Sequence, residues 1–282
     1  MCKSMRGVAI FLLAAALCAV TGDAFAQSDG DVHDQDAQQN QEQQNQEQLD
    51  QDAQILAALA RPTSDPIGQD QAQFLLFSTT DLWRNGGFAH SGVVWAPSGL
   101  DRDGPVLKLI FGGGVYRYTS GALGNTEVLG TQLAGGVLPG WRFVRDNFTV
   151  TAFLGLDVQQ HKLTPDDPSA GLRGTYVGAR TGFELWYQPT AATMVAADAS
   201  VSTIGLSYNA RLAAGLRMLD SFYLGPEVQA FAADGNYRQL RAGLHITGLR
   251  FGQFEWSAGA GWATDTDRRT GAYGKLGVFT RR

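Results

Sequence analysis

Cysteine is nearly absent: only Cys2 and Cys18 occur, both in the first stretch of the chain, which reads as an export signal. Removing that stretch leaves no thiol for a disulfide, a metal or a covalent intermediate. No His/Cys spacing suits zinc, and no cofactor motif occurs, so the expected cofactor complement is none. Long apolar runs are missing as well. Beyond Val20 nothing approaches the roughly 18 apolar residues of a spanning helix, which excludes a helical inner-membrane protein but not a strand-built one. Basic clusters are lacking, so nucleic acid is not an expected partner. Helical spacing is not evident past residue 72.

Lys3 and Arg6 precede the apolar run Val8 to Val20, which is followed by Ala24-Phe25-Ala26. This order predicts a signal peptide over 1–26, cleaved between Ala26 and Gln27. Leu17 before Cys18 argues against a lipoprotein site. Residues 27–72 form an acidic, Gln-rich linker with ten acidic groups and one basic, Arg61. With few apolar side chains to bury, it is expected to be disordered or partly helical. Residues 73–282 carry 19 basic and 16 acidic groups, so the formal net charge of -5 comes from the linker.

From Gln73 onward the apolar period is two. In 206–217, Leu206, Tyr208, Ala210, Leu212, Ala214 and Leu216 alternate with Ser207, Asn209, Arg211, Ala213, Gly215 and Arg217. The same pattern recurs over 176–188, 237–248 and 254–262. Weaker cases bring the count to about 12 strands, near 74–83, 88–96, 105–118, 126–138, 147–161, 174–188, 193–201, 205–217, 221–232, 237–250, 254–264 and 271–280. An even number of such strands fits an all-β, antiparallel, up-and-down transmembrane β-barrel with both termini on the periplasmic side.

Alternation alone leaves open whether the apolar face looks inward or outward. The polar face decides. It holds Lys108, Arg180, Arg211, Arg217, Arg241 and Lys275 against Asp157, Glu184, Asp198, Glu227 and Glu255, with His245 among them. Near balance of sign suggests a paired network across a lumen, with the apolar face in outer-membrane lipid. Glycines beside these charges, such as Gly112, Gly114, Gly215 and Gly259, suit crowding inside a barrel. Trp83, Trp95, Trp141, Trp186, Tyr187, Tyr208, Phe254 and Trp262 are candidates for interfacial girdles.

Other constellations are weaker. His245 with Glu227 or Glu255 and a serine would be needed for a barrel lipid hydrolase, a geometry that spacing does not test. Asp166-Asp167 and Asp265 with Asp267 lack the calcium-loop pattern and read as solvated turn residues. His90 and His161 read as lying near strand ends.

The stretches HSGVVWAPSGLDRDGP, GTYVGARTGFELWYQPT and YLGPEVQAFAADGNYRQLRAGLHITGLRFGQFEWSAGAGWATDTDRRTGAYGKLGVFTRR resemble the cellulose biosynthesis protein BcsS family, over roughly Asp81 to Arg282. The resemblance implies an exported outer-membrane β domain of Gram-negative bacteria linked to cellulose, exopolysaccharide and biofilm production. It brings no catalytic residues. The expected function is a non-enzymatic scaffold, adaptor or narrow conduit, with cellulose or periplasmic cellulose-synthesis subunits as partners. A porin-like channel and an outer-membrane lipid hydrolase are the alternatives; the oligomeric state is open.

Overall fold

The computed structural model describes residues 72–84, 86–233, 237–266 and 269–282. The signal peptide, its cleavage between Ala26 and Gln27, and nearly all of the acidic linker lie outside the described residues. Twelve strands form one closed antiparallel barrel in which each strand pairs with its sequence neighbours and β1 pairs with β12. They are β1 (Phe74–Trp83), β2 (Gly86–Trp95), β3 (Gly104–Ser120), β4 (Thr126–Arg145), β5 (Phe148–Thr164) and β6 (Gly174–Thr190). The second half comprises β7 (Thr193–Ser202), β8 (Tyr208–Met218), β9 (Phe222–Ala233), β10 (Tyr237–Phe251), β11 (Phe254–Asp265) and β12 (Thr270–Arg281). Closure leaves no unpaired sheet edge, the condition for strands to cross lipid.

The period-two pattern becomes the wall's two faces. On β8, Asn209, Arg211 and Ala213 are buried, while Ala214 and Leu216 are exposed. Around the barrel, Phe111, Leu133, Leu154, Leu156, Val177, Leu240, Leu244 and Leu276 are each at least 50% exposed. An apolar band of this extent is a surface for lipid, since water would not tolerate it. Even the ten-residue strands β1 and β2 span about 25 Å at a tilt near 40°, enough for the hydrocarbon layer.

Phe74, Trp95, Trp141, Phe143, Tyr187, Phe251 and Phe254 lie exposed near the barrel end that carries both strand termini, here called the terminal mouth. Two expected girdle residues are corrected. Trp83 and Trp186 are 6% and 1% exposed and point inward, because their parity matches that of the lumen residues on β1 and β6.

Strand limits fall close to those expected, with one larger difference. β4 runs on to Arg145, although Pro139-Gly140 reads as a turn. Pro139 lacks an N–H, and it falls where pairing with β5 lapses between Val137↔Leu156 and Gly140↔Phe153, so the missing donor breaks no ladder bond. A short 3-10 turn, Ile204–Leu206, precedes β8 and delays its start.

Candidate functional site

Inward side chains fill the lumen with charges that meet in separate clusters. The first centres on Glu227 of β9. Its Oε2 accepts from Arg211 Nε and Nη2 at 3.0 and 2.8 Å and from Lys275 Nζ at 2.7 Å. Its Oε1 accepts from Tyr273 Oη at 3.0 Å. Asp157 on β5 forms the second, receiving Arg180 Nη2 at 3.1 Å on both oxygens and Ser202 Oγ at 2.7 Å. In a third, Arg241 Nη1 donates to both oxygens of Asp81 at 3.2 and 3.1 Å, and its Nε reaches Gln239 Oε1 at 2.7 Å. The Arg241 guanidinium lies 4.9 Å from the Phe231 ring centre and 5.2 Å from that of Tyr273, so aromatic faces complete its solvation. Lys108 Nζ donates to Glu184 Oε1 at 3.1 Å and sits 5.4 Å from the Phe153 ring centre.

The structure places eleven of the twelve candidate lumen residues inside, each no more than 9% exposed. Asp198 lies in a cross-strand row with Glu184 and Arg211 and accepts from Asn209 Nδ2 at 3.4 Å. Glu255 sits near the terminal mouth, 3.8 Å from Arg250 Nε. His245 shares a 2.8 Å bond with Thr247 Oγ1 and has Nε2 3.2 Å from the Ala214 carbonyl. Arg217 is the correction. Its parity is inward, but it stands at the last turn of β8, exposed, and donates to the Asp220 carbonyl at 2.9 Å.

Asp81 and Arg142 are lumen residues that the pattern missed. Asp81 lies in Ser78-Thr79-Thr80-Asp81, where both faces are polar and alternation is faint. Arg142, 2% exposed, lies on the part of β4 beyond Pro139. His90 and His161, expected near strand ends, are buried inside on β2 and β5.

Both mouths are stoppered. At the terminal mouth the β2–β3 connection, residues 96–103, turns inward, and Ala96 and Leu100 pack with Leu75, Phe77, Leu138, Phe153 and Phe279. Backbone bonds fix it, from Leu100 N to Ala72 O at 2.9 Å and from Ala96 N to Gln73 O at 2.8 Å. Asp103 at its end accepts from Val144 N and the Arg145 guanidinium, which hold its carboxyl below the usual value.

At the opposite mouth the β5–β6 connection, residues 165–173, covers Phe88, Tyr116, Tyr118, Val128 and Leu163 through Ala170. Asp167 there is 0% exposed, a correction to its reading as a solvated turn residue. It accepts from Tyr118 Oη at 3.0 Å, Ser169 N at 3.0 Å and Ser169 Oγ at 2.7 Å. Burial opposes its ionisation, but these bonds prevail and keep the carboxyl below its usual value. Asp166 pairs with Arg173 at 3.3 Å in the open.

Between the stoppers the described voids are water-sized. One of about 20 Å³ lies among Lys108, Arg180, Glu184, Asp198 and Ser200, and another of about 10 Å³ lies beside His90, Gly112 and Asp157. Such volumes hold a water or two. Packing this dense needs glycine in the wall: a Cβ on Gly259 would stand 2.5 Å from Lys275 Cε and 2.7 Å from Glu227 Oε1.

No curated protein sequence matches the chain. Among solved structures it is similar to the KdgM porin at 9% identity and a TM-score of 0.40, over 73% of this chain and 98% of that one. It is also similar to the translocator domain of autotransporter NalP from Neisseria meningitidis, at 12% identity and a TM-score of 0.46 over 83% and 95%. LpxR from Salmonella typhimurium matches at 13% identity and a TM-score of 0.43, over 73% and 99%. The family model for cellulose biosynthesis protein BcsS matches residues 75–282, from the second residue of β1 to the end of the chain. The chain belongs to the cellulose biosynthesis protein BcsS family.

Proposed function

We propose that this chain is a non-catalytic accessory barrel of the Gram-negative outer membrane that serves cellulose production as a scaffold or adaptor rather than as an open conduit. Both termini are periplasmic in this reading, beneath a cleaved signal peptide and the acidic linker. The exposed apolar band supports the membrane, and the BcsS family supports the pathway. The terminal mouth also has the tight turns Asp146-Asn147, Ala191-Ala192 and Gly252-Gln253, as periplasmic ends do.

One observation carries the choice of scaffold over conduit: the lumen is occupied by bonded charges and covered at both ends. A glucan chain needs a passage several ångströms wide along its whole length, and voids of about 20 and 10 Å³ do not provide it. Binding then falls to the rims, with cellulose or periplasmic synthesis subunits as partners. Two measurements on the full chain test this. In planar bilayers the folded protein should show no steady conductance, and a deletion strain should lose cellulose-specific dye binding. Stable open steps of conductance favour the porin reading, and release of fatty acids from added phospholipid favours a hydrolase.

A further inference from the structure

The lumen changes character below the 165–173 connection. Deeper layers are ion pairs, but this one is built from Phe88, Tyr116, Tyr118, Gln132, His161 and Tyr176, flat rings beside neutral amide, hydroxyl and imidazole groups. Tyr116 and Tyr118 are parallel, with ring centres 6.1 Å apart. Such a surface suits a pyranose, whose C–H faces pack on rings while its hydroxyls seek neutral partners.

Two polar atoms here have no hydrogen-bond partner. They are Tyr116 Oη and His161 Nδ1, on side chains 2% and 3% exposed. Gln159 Oε1 lies 3.1 Å from His161 Nε2 and can only accept, so Nε2 carries the proton and Nδ1 is left as an acceptor. A hydroxylated ligand supplies what both atoms lack. Buried groups of this kind are costly to leave unsatisfied, which makes them informative.

The roof over them is held lightly. Tyr118 Oη binds Asp167, and Tyr176 Oη donates to the Gly171 carbonyl at 3.2 Å and accepts from Arg173 N at 3.0 Å. The one roof side chain in the aromatic cluster is Ala170. The floor is firm by contrast, made of the Asp157–Arg180 and Asp81–Arg241 pairs. We infer that residues 165–173 roof a dead-end saccharide pocket that takes the end of a neutral glucan chain when the roof lifts. This inference rests on the reading of the barrel as an adaptor in glucan production and names its ligand.

The test uses the full-length protein in nanodiscs, titrated calorimetrically with a β-1,4-linked glucose hexamer. Wild type should bind saturably, and Asp167→Ala, which unlatches the roof, should bind several-fold more tightly because less closure must be undone. Tyr116→Phe should weaken binding about tenfold, the loss of one ligand hydrogen bond. The same variant should unfold at the same or a higher temperature, since its hydroxyl has no protein partner to lose. No binding by either wild type or Asp167→Ala overturns the pocket, while dye binding and conductance still report separately on the adaptor. Binding untouched by Tyr116→Phe also overturns it, because the ligand then sits elsewhere.

Discussion

Glu227 is the residue at which charges from β8, β9 and β12 meet, and its loss should exceed the loss of either cation. Glu227→Leu removes the carboxylate shared by Arg211 and Lys275 and should cost about 3–5 kcal/mol. Arg211→Leu should cost clearly less, because Glu227 keeps Lys275 and Tyr273. Urea unfolding of the folded barrel measures both, and the double variant should recover part of the Glu227→Leu loss. Equal single effects with strict additivity would remove the cluster from the account. Next in sequence to Arg211 stands Leu212, which faces the other way. Leu212→Arg sets a charge against lipid, at a cost of about 2–4 kcal/mol near the midplane. Folding yield into bilayers reads this directly, and an unchanged yield contradicts an apolar face in lipid. The inward parity of Arg211 is legible from the sequence, whereas Asp81 is hidden among Ser78, Thr79 and Thr80, and Arg142 behind Pro139.

Among the elements, the 165–173 connection depends most on one titrating group. Asp167 has a carboxyl held below its usual value, so its contribution to closure is full above the unfolded value, about 4, and is lost as pH falls through the lower folded value. Hydrogen exchange of residues 165–173, corrected for intrinsic rate, should therefore stay slow from neutral to mildly acidic pH and quicken only below the ordinary carboxylate range. Opening between pH 6 and 7 would point to a histidine instead and contradict the Asp167 latch. The element itself could be placed from sequence, since Pro165, Pro168 and the paired aspartates mark a turn. Its inward fold could not, because Tyr118 is 49 positions from Asp167. The extension of β4 was hidden for a similar reason: Pro139 reads as a stop until its lapse in pairing with β5 is seen.

At the scale of the whole molecule, twelve strands closed on themselves share their backbone bonds around a ring, and no strand can peel away without breaking two ladders. Outer-membrane fractions should therefore contain a species that runs compactly on gels unheated and shifts on boiling. Recovery of a detergent-free soluble monomer would end the membrane reading, since the outward Phe111, Leu154, Val177 and Leu244 would then need another cover. On intact cells, protease should reach residues 162–173 and 265–270 and spare 27–60 if both termini are periplasmic.

The sequence by itself determined what local covalent geometry determines. Successive side chains on an extended backbone point to opposite sides, so period-two alternation already separated Arg211 from Leu212, and the repeat of that pattern counted the strands. It also placed glycine beside the charged positions. What meets what was decided only by closure of the barrel. Arg241 finds Asp81 across 160 positions of chain because β10 and β1 face the same lumen, and Lys275 reaches Glu227 across 48. The two stoppers have the same origin. Nothing local tells Leu100 or Ala170 to turn inward; each does so because a closed ring offers an apolar space that only its own loop is near enough to fill.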